Sequence, residues 1–349
     1  MIAVQTLSVL IVNWNGAMLL PACMESIERY GKGIPLEIIV FDNGSTDGSI
    51  EIIDAWMKRL PIRILRAATN IGYASANNRA WEASTSEFCL LLNNDAILAG
   101  PLEGAVEYLT SDPAVAACQG PVLSADGSRI DSVGSLTSRS GFLVHPHIGD
   151  VAEPAITARS VFSVKGAAMY VRSAAVRQIG LFDETAFAYF EESDFCWRAR
   201  LSGWDVRYSD RLPPVYHMGG ATSTRLSPSV YEYHSYKNRL RSILKNASWP
   251  TLASMLPLHI AVCGLGAAGG VVAGRPGAAV NVARAYLWNL MALRDTFRSR
   301  QRVQAGRTRS DKDVFNGVKA PLGLRQLLQM GRYYERGKKR PSAADVRAS

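Results

Sequence analysis

The chain has 349 residues, of which 48% are hydrophobic and 20% charged, a composition typical of a globular protein with one large domain or one domain plus an appendage. Its five cysteines are widely spaced and contain no CxxC pair, so the sequence indicates neither a disulfide framework nor a zinc knuckle. A reducing compartment is the simplest interpretation. The N-terminus lacks a basic region and a small-residue cleavage site, so residues 7–12 are interpreted as a strand and not as a signal peptide.

The net charge of +9 is concentrated in the C-terminal quarter. Residues 276–349 contain 16 Lys and Arg against 5 Asp and Glu, whereas residues 1–275 contain 23 against 25. A basic segment of this kind favours an anionic partner. Because the sequence contains no recognisable nucleic-acid-binding module, we expect a membrane surface and not a nucleic acid.

The first 120 residues alternate between strand-like and helical segments. The predicted strands are Leu7–Val12, Leu36–Phe41, Ile62–Leu65 and Phe88–Leu92. Helical segments separate them, with short links. This alternation predicts an α/β fold with a parallel, doubly wound sheet.

Polar residues follow every one of these strands: Asn13 and Asn15, Asp42, Asn70, and Asn93–Asp95. The carboxyl ends of parallel strands lie at one edge of a sheet, where ligands bind in folds of this class. Each cluster alone could form an ordinary turn. Their recurrence favours a ligand site, with Asp95 as a candidate metal ligand and Asp42 as an acceptor for a base N–H or a sugar hydroxyl.

Three acidic residues, Glu191, Glu192 and Asp194, precede or begin a predicted helix over Ser193–Leu201. Acidic side chains stabilise helix N-termini, so this effect explains part of the acidic cluster. A partly desolvated carboxylate among like charges also has a raised pKa and can act as a general base. His217 follows an apolar segment and precedes two glycines, so it is either a packed histidine or a metal ligand.

Seven motifs occur in order over roughly residues 5–245, and together they resemble the family 2 inverting glycosyltransferases of the GT-A fold, in particular the bacterial rhamnosyltransferase-like branch. The motifs are SVLIVNWN at Ser8–Asn15, DNGSTDGS at Asp42–Ser49, NIGYASANNRA at Asn70–Ala80, LLLNND at Leu90–Asp95, GLFDE at Gly180–Glu184, FEESDFCWRARLSG at Phe190–Gly203 and HMGG at His217–Gly220.

The resemblance implies a mixed, mostly parallel α/β sheet flanked by helices. It also implies roles for individual residues. Asp42 would contact the nucleotide base with Asn13 and Asn15 beside it, and the diphosphate path would be lined by Asn70, Asn78 and Arg79. The family's DxD position reads Asn93-Asn94-Asp95 here. Asp95 would therefore bind Mg²⁺ or Mn²⁺ with His217 as second ligand, while Asn93 could hydrogen-bond ribose or coordinate weakly. Glu192 occupies the base position of the acidic motif, with Glu191 and Asp194 as the alternatives.

The resemblance also implies an activity: transfer of a sugar from a nucleoside-diphosphate donor to a hydroxyl of a lipid-linked or polysaccharide acceptor in cell-envelope glycan synthesis. The preferred donor is dTDP-rhamnose, and a UDP-sugar is the other option. The implied location is cytoplasmic, peripheral on the inner face of the cell membrane. A sugar nucleotidyltransferase and a non-catalytic glycan-binding or scaffold protein with a degenerate GT-A fold are the alternatives.

The region after the motifs is apolar and then basic. Residues 246–274 contain no charged side chain and are long enough to cross a membrane, although they are rich in Gly and Ala. Residues 278–298 predict an amphipathic helix with Val282, Tyr286, Leu290 and Leu293 on one side, suited to an anionic membrane interface. A helical cap on the catalytic domain is the alternative. We therefore predict a GT-A catalytic domain over 1–245, a membrane-associated helical region over 246–300 and a basic, partly disordered tail over 301–349.

Overall fold

The computed structural model of the protein describes residues 6–152, 156–219, 228–321 and 323. Its strands are β1 Leu7–Asn13, β2 Leu36–Asp42, β3 Ile62–Arg66, β4 Phe88–Leu92, β5 Ala96–Leu98, β6 Val115–Gln119, β7 Val122–Ser124, β8 Ile130–Ser132, β9 Leu136–Thr137, β10 Leu143–Val144, β11 Arg159–Ser160, β12 Ala168–Arg172, β13 Asp205–Tyr208 and β14 Val215–His217. Its helices are α1 Leu20–Tyr30, α2 Ser49–Trp56, α3 Tyr73–Glu82, α4 Glu103–Ser111, α5 Ser173–Ile179, α6 Glu191–Leu201, α7 Pro228–Asn246, α8 Trp249–Val272, α9 Gly277–Met291, α10 Leu293–Ala305 and α11 Asp311–Val314, with a 3-10 turn at Glu184–Ala186.

Among the described residues, the main sheet has eight strands in the order β11-β13-β6-β12-β4-β1-β2-β3. The strands β4, β1, β2 and β3 are parallel to one another, as the strand–helix alternation predicts. Strand β12 runs antiparallel to both β4 and β6, which makes the sheet mixed. The predicted α/β class with a mostly parallel sheet is thus confirmed.

The apolar strand residues pack on both faces of this sheet. On one face, Leu7, Val9 and Ile11 of β1 pack against α1, and on the other face Leu10 packs against the small residues of α3. Every residue of β4 is buried, as expected for a central strand covered on both sides. These two layers hold the carboxyl ends of β1, β2 and β4 rigidly beside one another.

A smaller sheet continues directly from the end of β4. Residues 93–95 turn the chain into β5, which belongs to a four-stranded sheet, within the described residues, of order β5-β14-β7-β8. Strand β14 pairs with β5 so that His217 lies opposite Ala96. The tripeptide Asn93–Asp95 therefore forms the junction between the two sheets.

The helices α7, α8 and α9 form a second layer on the α/β domain. Helix α9 packs along α7, where Asn289 donates a hydrogen bond to the carbonyl of Lys237 at 3.0 Å. The amphipathic helix predicted over 278–298 is in fact two helices that meet at Ala292. The buried face also differs from the prediction, which placed Leu290 on the apolar side. Helix α9 buries Asn281, Ala285 and Asn289 against α7 and exposes Leu290.

Helix α8 is apolar but mostly uncovered. It is the one helix in the described part of the chain that is long and apolar enough to cross a membrane, and only 17% of its most apolar stretch is buried. The sequence Gly264–Gly269 lies within this helix, so its GxGxxG pattern does not form a phosphate-binding turn.

The chain then returns to the α/β domain. Val314, Phe315 and Val318 are buried against Phe162 and Trp197, and these residues share one apolar cluster. Part of the predicted disordered tail is therefore packed, up to about residue 319, while residues 324–349 lie outside the described residues. This packing crosses the predicted domain boundary at residue 245, because residues that follow α10 pack on the α/β domain.

Two smaller details concern residues 161–172 and the helix predicted from Ser193. Only Ala168–Arg172 forms a strand, and the preceding segment is a loop. The predicted helix at Ser193 begins two residues earlier, at Glu191.

Candidate active site

The ends of β1, β2 and β4 are joined by buried side-chain hydrogen bonds. Asn13 Nδ2 donates to Asp42 Oδ1 at 3.1 Å, and Asn94 Nδ2 donates to Asn13 Oδ1 at 2.8 Å. Asp42 Oδ2 also accepts a bond from the amide of Ser45 at 3.1 Å. A carboxylate can accept more than two hydrogen bonds, so Asp42 retains acceptor capacity for a ligand.

The loop after β2 is held against the loop after β1. Asn15 has a φ of 51°, a left-handed conformation that asparagine tolerates, and its Oδ1 accepts a hydrogen bond from the Thr46 amide at 2.7 Å. Gly16 is required by packing, since a Cβ at this position would lie 2.2 Å from both Asn13 Oδ1 and Asn94 Nδ2. The glycine in NWNG thus permits the close approach of the first motif to the NND motif.

Asn70 belongs to the same edge of the sheet. Its Oδ1 accepts hydrogen bonds from Asn43 Nδ2 at 3.0 Å and from the Gly72 amide at 2.9 Å. Asn43 Oδ1 in turn accepts from the amide of Ile71. Asn70 therefore fixes the turn that begins α3.

Asn78 and Arg79 have other partners. Asn78 exchanges two hydrogen bonds with the backbone of Phe182, at 2.9 and 3.0 Å. Arg79 is exposed and pairs with Glu82 at 2.9 Å, with Glu184 4.0 Å away. Both residues brace the segment before the acidic motif, and this geometry disfavours the predicted role in the diphosphate path.

Asn93 is linked to α3 and to the loop before β12. The hydroxyl of Tyr73 lies 2.9 Å from Asn93 Oδ1 and 3.1 Å from the carbonyl oxygen of Gly166. Burial raises the pKa of Tyr73 well above its ordinary value, and the carboxylates of Glu191 and Glu192 raise it further. The NND motif and the acidic motif are therefore neighbours through Tyr73.

His217 lies between two buried carboxylates. Its Nε2 is 3.4 Å from Asp95 Oδ1, and its Nδ1 is 2.8 Å from Asp131 Oδ2. Lys165 Nζ is 2.6 Å from the same Asp131 oxygen. Burial alone lowers the pKa of His217, but Asp95 and Asp131 outweigh burial and raise this pKa to about 9.

This arrangement fits a divalent metal ion at Asp95 and His217. A carboxylate oxygen and an imidazole nitrogen face each other there, and Asp131 orients the imidazole through Nδ1, which is the usual outer partner of a metal-ligating histidine. Within residues 6–152, 156–219 and 228–321, no group of three or more His, Cys, Asp or Glu side chains is arranged to hold a metal. An ion bound at Asp95 and His217 would therefore have two protein ligands and would need further ligand or solvent oxygens.

The acidic motif follows a strained loop. Phe187, Tyr189 and Phe190 all have φ between 64° and 72°, a conformation that bulky residues rarely adopt. Asn238 of α7 holds this loop, because its Nδ2 lies 2.6–2.9 Å from three carbonyl oxygens of residues 186–189. Backbone strain of this kind persists where the surrounding packing enforces it, and it clusters at functional sites.

Glu191 and Glu192 begin α6 directly after this loop. Burial raises the pKa of Glu191 well above its ordinary range, and Glu192 adds to the shift. Burial likewise raises the pKa of Glu192 to about 7, although Lys165 opposes the shift. Glu192 is the less buried of the two, so it combines access with a pKa suited to general-base work near neutral pH.

Asp194 does not share these properties. Lys245 and Arg198 each lie within 2.9 Å of its Oδ2, and Ser242 and Asn246 donate to its Oδ1. Burial alone raises the pKa of Asp194, but Lys245 and Arg198 lower it to about 2. Asp194 therefore anchors α6 to α7 and is disfavoured as the base.

Three comparisons bear on this fold and site. The sequence model of the family described as Glycosyl transferase family 2 matches residues 8–176. An N-acetylglucosaminyl-diphospho-decaprenol L-rhamnosyltransferase from Mycobacterium tuberculosis is 26% identical over 225 residues, covering 57% of this chain and 72% of the relative.

Two solved structures share the fold. GalNAc-T7 with UDP, GalNAc and Mn²⁺ has a TM-score of 0.55 at 14% identity, covering 70% of this chain and 48% of that chain. TarS from S. aureus in complex with UDP has a TM-score of 0.51 at 16% identity, covering 74% of this chain and 72% of that chain.

The fold, the site and these relatives together define a nucleotide-sugar-dependent glycosyltransferase with a GT-A-like fold. More particularly, these findings support a glycosyltransferase of family 2, whose sequence model matches just under half of the chain.

Sequence reasoning missed three residues of this site: Tyr73, Asp131 and Lys165. Tyr73 stands inside the quoted motif NIGYASANNRA, so its position gave a usable signal. Asp131 and Lys165 lie in the weakly patterned region between residues 121 and 165, where no motif points to them. Only the fold shows that Asp131 contacts His217 and that Lys165 contacts Asp131.

Proposed function

We propose that this chain transfers a sugar, with inversion at the anomeric carbon, from a nucleoside-diphosphate donor to an acceptor hydroxyl. The observation that carries the proposal is the pairing of two features at one edge of the sheet. One is Glu192, which has a raised pKa and follows a strained loop. The other is the Asp95–His217 pair at the NND motif.

In this mechanism Glu192 is the general base. Its carboxylate accepts the proton of the acceptor hydroxyl while that oxygen bonds to the anomeric carbon. The bond between the anomeric carbon and the diphosphate oxygen breaks in the same step, and the nucleoside diphosphate leaves with the electron pair. Attack from the side opposite the leaving group inverts the anomeric configuration.

The sugar donor would bind along the ends of β1, β2 and β4. Asp42 would accept a hydrogen bond from the nucleotide base or ribose, with Asn13, Asn15, Asn70 and Asn94 keeping the loops in position. Asn93 would face the ribose or the diphosphate. Asp95 and His217 would hold Mg²⁺ or Mn²⁺, which when bound supplies positive charge to the diphosphate.

The preferred sugar donor is dTDP-rhamnose, and the preferred acceptor is a lipid-linked or polysaccharide glycan of the cell envelope. Support comes from the relative in Mycobacterium tuberculosis, which is named as a rhamnosyltransferase acting on a diphospho-decaprenol-linked sugar. A UDP-sugar is the alternative donor, since TarS and GalNAc-T7 were solved with UDP.

We further propose that the protein acts on the cytoplasmic face of the membrane and docks through α8 and α9. Large apolar side chains are exposed there, including Leu265 at 74% and Val272 at 90%. The exposed arginines Arg275, Arg284, Arg294 and Arg298 lie on or beside these helices. An apolar surface flanked by arginines is complementary to a bilayer with anionic lipids, which is the partner we assign to it.

The test is a screen of nucleotide sugars by hydrolysis and transfer. We expect turnover of one dTDP- or UDP-sugar that depends on Mn²⁺ or Mg²⁺ and releases the nucleoside diphosphate. Release of the nucleoside monophosphate, or formation of a nucleotide sugar from a sugar phosphate and a nucleoside triphosphate, would instead identify a nucleotidyltransferase. Failure of every nucleotide and nucleotide sugar to bind would refute the proposal.

A further inference from the structure

Arg239 on α7 is half-buried, and no carboxylate among the described residues forms an ion pair with it. Its Cζ lies 4.1 Å from the ring centre of Phe142 and 5.4 Å from that of Phe190. Its Nε is buried and has no hydrogen-bond partner within the described part of the chain. The groups that act on its charge are three tyrosines and Cys263, and burial lowers the pKa of the guanidinium.

Two histidines stand near Arg239, and both are kept neutral. Burial, Lys165 and Arg239 lower the pKa of His145 to about 4, against an opposing effect of Asp131, and its Nδ1 lies 2.9 Å from Ser135 Oγ. Burial and Arg239 lower the pKa of His259 to about 4 as well. Arg239 is therefore the positive charge of a polar neighbourhood in which both imidazoles are neutral.

This neighbourhood lies between the acidic motif and the apolar helices. On one side, Phe190 covers Arg239 and is followed directly by Glu191 and Glu192. On the other side, Cys263 of α8 and Tyr286 of α9 are within electrostatic reach of the guanidinium. An anion bound at Arg239 would thus lie beside the proposed base, Glu192. It would also lie beside helices α8 and α9, which form the proposed membrane-docking surface.

The energetics argue that Arg239 is retained for a ligand. Removing a charge even partly from water costs free energy when the charge has no ion-pair partner. Stacking on aromatic rings returns only about 0.5–2 kcal/mol. A planar guanidinium whose Nε–H has no partner matches the oxygens of a phosphate, which it can bind through two parallel hydrogen bonds.

We propose that Arg239 binds the phosphate or diphosphate of a lipid-linked acceptor, whose apolar tail then follows α8 and α9 into the membrane. This inference rests on the proposed function and names a subsite for its acceptor. The diphosphate of the sugar donor is a different anion, because it would bind at Asp95 and His217, and neither of these residues is among the groups that act on Arg239.

The test measures the binding of farnesyl diphosphate by calorimetry, with UDP and Mn²⁺ present to fill the site of the sugar donor. Farnesol lacks the anion and inorganic pyrophosphate lacks the lipid, so these two probes separate the contributions. We expect Arg239→Met to weaken farnesyl diphosphate binding at least about tenfold, equivalent to about 1.4 kcal/mol. Arg239→Lys should recover part of the affinity, and Arg211→Met, at an exposed arginine, should change nothing.

A second readout excludes a purely structural role. Because the side chain is half-buried without a carboxylate partner, Arg239→Met should leave the melting temperature of the free protein unchanged or raised. A lowered melting temperature with unchanged farnesyl diphosphate affinity would overturn the proposal. Pyrophosphate binding as tight as farnesyl diphosphate binding would overturn the lipid-linked source, and an equal loss of UDP affinity would move Arg239 to the site of the sugar donor.

Failure of the proposed function gives a different pattern. In that case UDP does not bind to the unchanged protein. The effect of Arg239→Met on farnesyl diphosphate binding is then measured without UDP. This result by itself shows whether Arg239 binds the anion.

Discussion

The hydroxyl of Tyr73 lies 2.9 Å from Asn93 Oδ1, and the same ring is within the electrostatic field of Glu191 and Glu192. One side chain of α3 thus connects the NND motif, which would face the sugar donor, to the acidic motif, which would face the acceptor. A link of this kind fixes the distance between the two halves of the reaction.

Removing this hydroxyl should lower turnover without unfolding the protein. Tyr73→Phe leaves Asn93 Oδ1 with one fewer donor, a loss of about 1 kcal/mol, so we expect kcat/KM to fall about fivefold. Steady-state kinetics with the identified sugar donor measures the effect. Tyr30→Phe, at the end of α1, is the matched control, and an equal loss in both variants would contradict the role of Tyr73.

Glu192→Gln should remove transfer and preserve binding of the sugar donor. A glutamine cannot accept the proton of the acceptor hydroxyl, so kcat should fall by about 10²–10⁴. Single-turnover transfer assays and UDP calorimetry on the same preparation separate the two effects. Glu184→Gln makes the same change on the exposed turn before the loop, and wild-type turnover by Glu192→Gln would reject the base assignment.

The titration of Glu191 should lower the free energy of unfolding as pH rises. Its raised pKa means that the folded protein keeps a proton that the unfolded chain releases above the ordinary glutamate value of 4.5. The folded state then binds more protons than the unfolded state, so the free energy of unfolding decreases as pH increases from about 5 to 7.

Glu191→Gln removes this titration, so the decrease in stability over the same pH interval should become smaller. The residual slope reflects Glu192, whose pKa is also raised. Urea unfolding at several pH values measures the change, with Glu25→Gln as a control because that side chain stays in water. Identical slopes for Glu191→Gln and the unchanged protein would show that the Glu191 carboxylate is not desolvated.

Asp131 should control metal affinity without binding the metal. Asp131→Asn weakens the orientation of the His217 imidazole, and we expect Mn²⁺-dependent UDP binding to weaken about 10–100-fold. Asp95→Ala should abolish the dependence on Mn²⁺. Calorimetry with UDP and Mn²⁺ tests both, and Asp54→Asn on the exposed face of α2 serves as control. Metal dependence that survives in Asp95→Ala would exclude the proposed ligand pair.

Binding to vesicles should depend on the exposed apolar face of α8. The double change Leu265→Ser with Val272→Ser should weaken co-sedimentation with vesicles of phosphatidylcholine and phosphatidylglycerol by about tenfold or more, since full burial of each such side chain is worth about 1.5–3 kcal/mol. Met57→Ser, at an exposed apolar residue beside α2, should have no effect. Equal binding by both variants would argue against docking through α8.

The sequence predicted the site best where a strand ends in a motif. The apolar run before Asn93 defined β4 residue for residue, and Asn13, Asp42 and Asn94 met at one edge because parallel strands must end there. The hydrogen bond between Asn94 and Asn13 was not predictable, since it depends on β4 lying next to β1.

Other parts of the site were hidden by the distance along the chain or by weak patterns. Asp131 is 86 residues from His217 and stands in a three-residue strand. Asp194 looked equivalent to Glu192 because both are acids at the start of α6. What separates them is Lys245, which approaches from a helix that begins 34 residues after Asp194.

The return of residues 308–318 to the α/β domain has a consequence for synthesis on the ribosome. Phe315 stacks on Phe162 and contacts Trp197, so this part of the core stays open until nearly all of the described chain has emerged. Helices α8 and α9 are made earlier. A nascent chain would therefore present its apolar helices to a lipid surface before the domain that carries the acidic motif is fully closed, and a shortened chain ending near residue 245 would expose two large aromatic side chains and aggregate.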